Sequence, residues 1–475
     1  MIAKQLRSKS DYSSWLQKME IEEPVVEDVK LDISKDNLYL GHSGLNYTVD
    51  NAVTVPLHIM VWEAGELRAK PRIGILVAKP GYGKSALASV IALDGIMYPY
   101  HMPTAVYDPA PNAEWYMHKQ PITSIMSPEH ARRAIGLMAK FNREPLGFNA
   151  VVYQPSFDTL GRGFQEEGTD KDYRLTLEDI RDMGYFSLST AKSMLLDITG
   201  QSDNPAADAL ASEMLRKTEL KNFTDAIRYF RKRETDENSG PQYGGAIRSG
   251  FPDYLQVNLD EGALADSHAP GQDMIGDMAT HDFVVLRVKP KSRQDETITT
   301  VKNQVITSVS ILRLLQERRR FISGNSVERS RALLTNPNGV QIVIDEIDKM
   351  IPRKGKSYTR IPITDTVLKE RKNTINMLGM TQELSLVDPE FLKGVDYAIV
   401  GQLTEDEQEG GTADILRNKG ISDGLIDSCK KLKYQKEGFV NTFGMRVNEW
   451  KYIDMHTRKG WSFYPALPRS ALKIT

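Results

Sequence analysis

Continuous apolar runs, not alternating ones, mark the chain from Arg72 onward. They are "RIGILVA" (Arg72–Ala78), "TAVYD" (Thr104–Asp108), "NAVVYQ" (Asn149–Gln154), "HDFVVLRV" (His281–Val288), "VQIVID" (Val340–Asp345), "INMLGMT" (Ile375–Thr381) and "DYAIVGQL" (Asp396–Leu403). Runs of this kind suit strands buried on both faces of a parallel sheet. Between them lie helix-forming stretches, notably "SALASVIALDGIM" after the first run and "ETITTVKNQVITSVSILRLLQERRRFI" before "VQIVID". Strands alternating with helices predict an α/β fold with a mainly parallel sheet.

Two regions break this rhythm. Residues 1–70 carry short β-like pieces, "NLYLGH", "LNYTV" and "VPLHIMVW", separated by turn residues, and read as a small β-rich N-terminal part. Residues 156–280 hold helical stretches, "SLSTAKSMLLDI" and "NPAADALASEMLRKTELKNFTDAIRYFRKR", followed by the turn-rich "ETDENSGPQYGGAIRSG" and "DEGALADSHAPGQDMIGD". This pattern predicts an inserted helical subdomain with long loops, flanked by a core over 71–155 and 281–475. The aromatic tail "GFVNTFGMRVNEWKYIDMHTRKGWSFYPALP" predicts a β-hairpin or two packed strands at the end of that core.

Composition alters this picture little. The chain has 475 residues, 40% hydrophobic and 26% charged, with a net charge of −2, so no global basic field announces nucleic acid. Positive charge confined to the pore of a ring would escape such a count. A single cysteine, Cys429, excludes an internal disulfide framework and fits a reducing compartment. The first residues lack a signal-peptide core, and no run of apolar residues is long enough to span a bilayer. A cytoplasmic location, in a host cell if a virus or mobile element encodes the chain, is the expectation.

The chemistry concentrates at two strand ends. "AKPGYGKS" (Ala78–Ser85) follows the first core strand and opens a helix, which is the context of a phosphate-binding loop, G-x-x-x-x-G-K-[ST], with Ala78 at the first glycine position. Backbone groups over Pro80, Gly81, Tyr82, Gly83, Lys84, Ser85 and Ala86 would cradle the phosphates of ATP. The Lys84 ammonium would face the β- and γ-phosphates, and the Ser85 hydroxyl would ligate Mg²⁺. A chance glycine-lysine turn is the competing explanation. It loses most of its ground to "GVQIVIDEIDKM" (Gly339–Met350), an apolar strand ending in two carboxylates. Asp345 would hold the Mg²⁺ shell, and Glu346 would act as general base or orient the attacking water.

These motifs, in this order, resemble the HerA/FtsK superfamily of hexameric DNA-pumping ATPases, closest to its HerA-like branch. "AVYDPAPNAEW" (Ala105–Trp115), "HDFVVLRV" with its long helix, and "VLKERKNTINMLGMTQELSLVDPEFLKGVDYAIVGQL" after the acidic pair carry the likeness further, over roughly residues 71–155 and 281–410. Ala78, and Glu383-Leu384 where the family favours arginine-proline, depart from its pattern. The resemblance implies a RecA-like P-loop core, ATP and Mg²⁺ as cofactors, and a homo-oligomeric ring, six subunits in the family. It implies double-stranded DNA as the substrate moved, with a nuclease, portal or secretion partner according to the branch. It further implies that Gln382 senses the γ-phosphate or water, against a plain strand-capping amide. Arg371 would reach a neighbouring subunit's γ-phosphate, with Arg360 as the rival finger; a solvated arginine is the alternative for either.

The loop "PRKGKSYTR" (Pro352–Arg360) carries Arg353, Lys354, Lys356 and Arg360, and either lines a pore or is simply solvated. Asp108 faces either the nucleotide or a structural turn. A motor that moves polypeptide, in secretion, remodelling or assembly, is the alternative to a DNA translocase.

Overall fold

The computed structural model describes residues 37–43, 52–56, 58–63, 66–97, 101–108, 115, 120–141, 143–155, 170–181, 188–201, 203–234, 250–260, 262–269, 271–287, 296–369, 371–403, 411–434 and 447–470. "LNYTV" and residues 235–249 of the turn-rich stretch lie outside them, as does the start of the aromatic tail.

In chain order the strands are β1 (Asn37–His42), β2 (Ala52–Pro56), β3 (His58–Glu63), β4 (Glu66–Pro71), β5 (Ile73–Val77), β6 (Thr104–Asp108), β7 (Ala150–Pro155), β8 (Asp170–Tyr173), β9 (Leu175–Thr176), β10 (Leu264–Ala265), β11 (Phe283–Arg287), β12 (Val340–Ile344), β13 (Ile375–Thr381), β14 (Tyr397–Val400), β15 (Trp450–Asp454) and β16 (Lys459–Pro465). Twelve of them form one sheet in the order β2-β1-β16-β15-β14-β5-β13-β12-β6-β11-β7-β8. From β14 to β8 every pairing is parallel. The hairpin β15–β16 closes one side antiparallel, and β1 and β2 extend it. The N-terminal pieces β1 and β2 thus join the core sheet, while β3 and β4 form a separate hairpin. Local sequence marks β1 and β3 as strands and overlaps β2 only at Val55 and Pro56; the distant β16 decides which sheet β1 enters.

The central strands are buried along their whole length, as their unbroken apolar composition requires. Successive residues serve opposite faces. Ile73, Ile75 and Val77 of β5 lie in one buried cluster with Ile342 and Ile344 of β12 and with Val305, Val309 and Leu312 of the helix Glu296–Ser323. Leu76 and Ala78 face the other way, toward the helix Lys84–Ile96 and the aromatic residues Trp450, Tyr452 and Phe463 of the hairpin.

The insertion supplies the helices Leu188–Ile198, Pro205–Arg216, Phe223–Glu234 and Phe251–Asp260. Its buried Met194, Leu210, Met214 and Phe230 belong to the same cluster as the sheet and the Glu296–Ser323 helix. It therefore shares the core instead of standing apart as a satellite. Asp179, with its side chain wholly buried, receives both Arg313 of that helix and His268, whose Nε2 lies 3.1 Å from each carboxylate oxygen.

Candidate functional site

Parallel strands put all their C-terminal ends at one edge, and this edge gathers the chemistry. The order β5-β13-β12 sets β13 between the strand that feeds the phosphate-binding loop and the strand that ends in Asp345. In register, Val77 pairs with Thr381, and Ile344 with Gly379 and Tyr107. The Ala78 N–H donates to the Thr381 carbonyl at 3.3 Å, and the Asp345 N–H to the Tyr107 carbonyl at 2.9 Å. Loop, acidic pair and the end of β13 are thereby held side by side.

The loop turns through Gly81 (φ 76°) and Gly83 (φ 96°), left-handed conformations that glycine takes at no steric cost. A Cβ added at either would meet open space, so the requirement is backbone conformation and not room. Gly83 caps the helix Lys84–Ile96, whose first turn closes with Leu87 N–H on the Gly83 carbonyl at 3.0 Å. Pro80, Gly81 and Gly83 are exposed, and Lys84, Ser85 and Ala86 are half-buried. The Lys84 ammonium donates to the carbonyls of Ala78 at 2.7 Å and Lys79 at 3.3 Å. Burial pushes its pKa below the ordinary lysine value, and the neighbouring charges of Asp345, Glu346 and Asp348 oppose that shift.

Asp345 is 7% exposed, and its Oδ1 accepts the Glu346 N–H at 2.9 Å. Glu346 itself has φ 47° and ψ 54°, a left-handed conformation that costs a non-glycine residue about 1–3 kcal/mol and tends to persist where function needs it. Its carboxylate pairs with Lys349 one helical turn on. Ser85 and Asp345 offer a hydroxyl and a carboxylate, hard oxygen donors of the kind that hold Mg²⁺ beside phosphate oxygens and water. The residues present fit that ion.

Asp348 and Asn448, which sequence reasoning passed over, belong to this edge, together with Thr381, noted there only as the end of its strand. The Thr381 hydroxyl donates to Asp348 Oδ1 at 2.8 Å, tying β13 to the one-turn helix Ile347–Met350. Asn448, just before β15, donates through its side-chain amide to the Tyr82 carbonyl at 2.8 Å. Thr381 ends a strand beside Gln382 and Asp348 follows the acidic pair, so both carry a faint signal in the sequence; Asn448 carries none.

Gln382 follows β13 at this edge and is exposed. Arg371 is not brought here within the chain. It precedes β13, so it lies at the opposite edge of the sheet, roughly 20 Å away by the rise of that seven-residue strand. There its guanidinium donates to Asp396 Oδ1 at 2.9 Å, to the Val367 carbonyl at 2.9 Å and to the Gly394 carbonyl. Arg360 opens the helix Arg360–Leu368, donating to the Pro352 and Gly355 carbonyls at 2.6 and 3.0 Å and pairing with Asp388 at 3.0 Å. Of the basic loop, Lys356 is drawn to Asp197 of the insertion at 2.7 Å, while Arg353 and Lys354 are exposed. Asp108 is fully buried at the end of β6.

The sheet order, the loop and the acidic strand together define an α/β fold of the RecA-like P-loop type, the fold expected from the sequence. No family model and no curated protein sequence matches the chain. Among solved structures it is similar to VirB4 of Thermoanaerobacter pseudethanolicus, at 16% identity over 92% of this chain and 97% of that one, with a TM-score of 0.50. It is also similar to the plasmid coupling protein TrwB bound to the GTP analogue GDPNP, at 10% identity over 86% and 89% of the two chains with a TM-score of 0.42. A third is the genome packaging NTPase B204 of Sulfolobus turreted icosahedral virus 2 bound to ATP-gammaS, at 16% identity over 41% and 73% with a TM-score of 0.25. The likeness to VirB4 spans nearly all of both chains and establishes a shared fold.

Proposed function

We propose that the protein is an Mg²⁺-dependent ATPase of the HerA/FtsK type that moves double-stranded DNA through a homo-oligomeric ring. The observation that carries the reading is the meeting of Lys84 with Asp345 and Glu346 at one sheet edge, with β13 between their strands. The loop backbone and the start of the helix Lys84–Ile96 bind the phosphates. Lys84 neutralises charge that grows on the transferred phosphoryl group. Ser85 and Asp345 would hold the metal, which when bound would supply electrophilic stabilisation of phosphate charge. Glu346 orients and deprotonates the attacking water, which requires it to leave Lys349. Gln382, at the end of the intervening strand, reports the state of the γ-phosphate. Arg371 and Arg360 are the two arginines weighed as a trans-acting finger; Arg371 would first have to release Asp396, and Arg360 would have to release Asp388.

For DNA, the support is the exposed pair Arg353 and Lys354 on the loop after the acidic strand, suited to phosphate contacts that carry no sequence information. Among the described residues no helix is long and apolar enough to cross a membrane. The test is steady-state ATP hydrolysis with and without long duplex DNA, beside Glu346→Gln. Stimulation that fades with added salt supports a DNA motor. Wild-type hydrolysis indifferent to DNA supports a motor for protein secretion, remodelling or assembly. No Glu346-dependent hydrolysis under any condition overturns the reading.

A further inference from the structure

Tyr82 points away from the phosphate side of its loop and is nearly buried, at 2% exposure. Its ring stacks on Tyr434 at 5.2 Å and meets Trp450 edge-on at 4.7 Å. Its hydroxyl donates to the Glu449 carbonyl at 2.6 Å, and its own carbonyl accepts from Asn448 Nδ2 at 2.8 Å. Behind the ring, Gly401 leaves no room for a side chain: a Cβ there would stand 2.7 Å from Ala78 and 2.8 Å from the Tyr82 ring. The tip of the loop is thus held from behind by the segment that leads into β15.

The Asn448 bond has a directional consequence. A trans peptide is planar, with its C=O and N–H pointing in opposite directions. Fixing the Tyr82 oxygen toward Asn448 therefore aims the Gly83 N–H to the other side, the side of the phosphates. That peptide turns about ψ of Tyr82 and φ of Gly83, and Gly83, at φ 96°, is a glycine that tolerates either orientation. We propose that Asn448 is a positioning residue for nucleotide, which selects the Tyr82–Gly83 peptide orientation that presents the Gly83 N–H to phosphate, and that Tyr82 anchors the same brace. This rests on the ATP-binding reading and extends it to residues more than 350 positions away in the chain.

The test is binding of a fluorescent ATP analogue to the purified full chain, displaced by ATP and separately by inorganic pyrophosphate, in wild type, Asn448→Ala and Tyr82→Phe. Asn448→Ala is expected to weaken ATP and pyrophosphate alike by about ten-fold, equivalent to ~1.4 kcal/mol. The KM for ATP should rise by more than kcat falls, and the melting temperature should barely move, whereas a purely structural contact would move the melting temperature first. Tyr82→Phe keeps the ring packing and loses only the bond to Glu449, so it is expected to weaken binding less; it carries the test if Asn448→Ala fails to fold. Unchanged affinity in a folded variant, beside a wild type that binds, overturns the brace alone. A wild type that binds neither ATP nor pyrophosphate overturns the brace together with the nucleotide reading.

Discussion

Arg371→Ala separates two roles for one side chain. The guanidinium closes three hydrogen bonds at the edge of the sheet remote from the phosphate loop, and its carboxylate partner Asp396 is 1% exposed. Removing one member of a buried ion pair costs about 3–5 kcal/mol, because the other charge stays buried. Here Asp396 keeps the Ile73 N–H at 2.7 Å and His456 at 2.9 Å, which reduces the loss. Against that, the Val367 and Gly394 carbonyls lose a donor, at about 1 kcal/mol each. The balance is a destabilisation of about 3 kcal/mol, a large share of the stability of an ordinary domain. Urea denaturation followed by tryptophan fluorescence and by far-UV circular dichroism measures it, with Arg371→Lys expected to recover part. A loss below about 1 kcal/mol would refute the strut argued from this geometry. If that stable variant also lost ATP turnover and regained it when mixed with Lys84→Ala subunits, Arg371 would be a trans finger after all.

Lys84→Ala is expected to abolish ATP binding, and Glu346→Gln to bind ATP yet scarcely hydrolyse it; calorimetric binding and phosphate release check the pair. Asp179 is held below the ordinary carboxylate pKa: its burial acts to raise the value, and His268, Arg313 and the Thr176 N–H outweigh it. The stability it contributes is therefore complete above about pH 4 and is lost as pH falls through the lower folded value. Asp179→Asn should cost stability at pH 7 and progressively less toward pH 3, measured by urea midpoints across that range. Phe230→Ala empties a fully buried position in the core shared by insertion and sheet, and should cost about 3–5 kcal/mol; an insertion that melts alone, leaving the sheet's transition unmoved, would contradict the shared core.

The sequence carried the parallel sheet because its central strands are buried on both faces and leave unbroken apolar runs, as in "RIGILVA" and "VQIVID". The phosphate loop and acidic pair were legible because each is local, a few residues at the end of one strand. The edge on which Arg371 falls was also available in principle: residues preceding a parallel strand lie opposite those that follow one, and Arg371 precedes β13 while the loop follows β5. What local sequence does not contain is a partner chosen by the fold at long range. The pairing of β1 with β16, the insertion's share in the core, and the Asn448 contact with Tyr82 are all of that kind.

That long reach bears on how the molecule is made. During synthesis β5 and its loop emerge hundreds of residues before Asn448, and β1 waits still longer for β16. Contacts so distant in sequence are slow to close. The nascent chain would hold a loop spelled correctly but not yet braced, beside an open sheet edge at β14. Competence for nucleotide would then wait until the segment leading into β15 has been made, so that a chain still lacking it would not yet engage ATP.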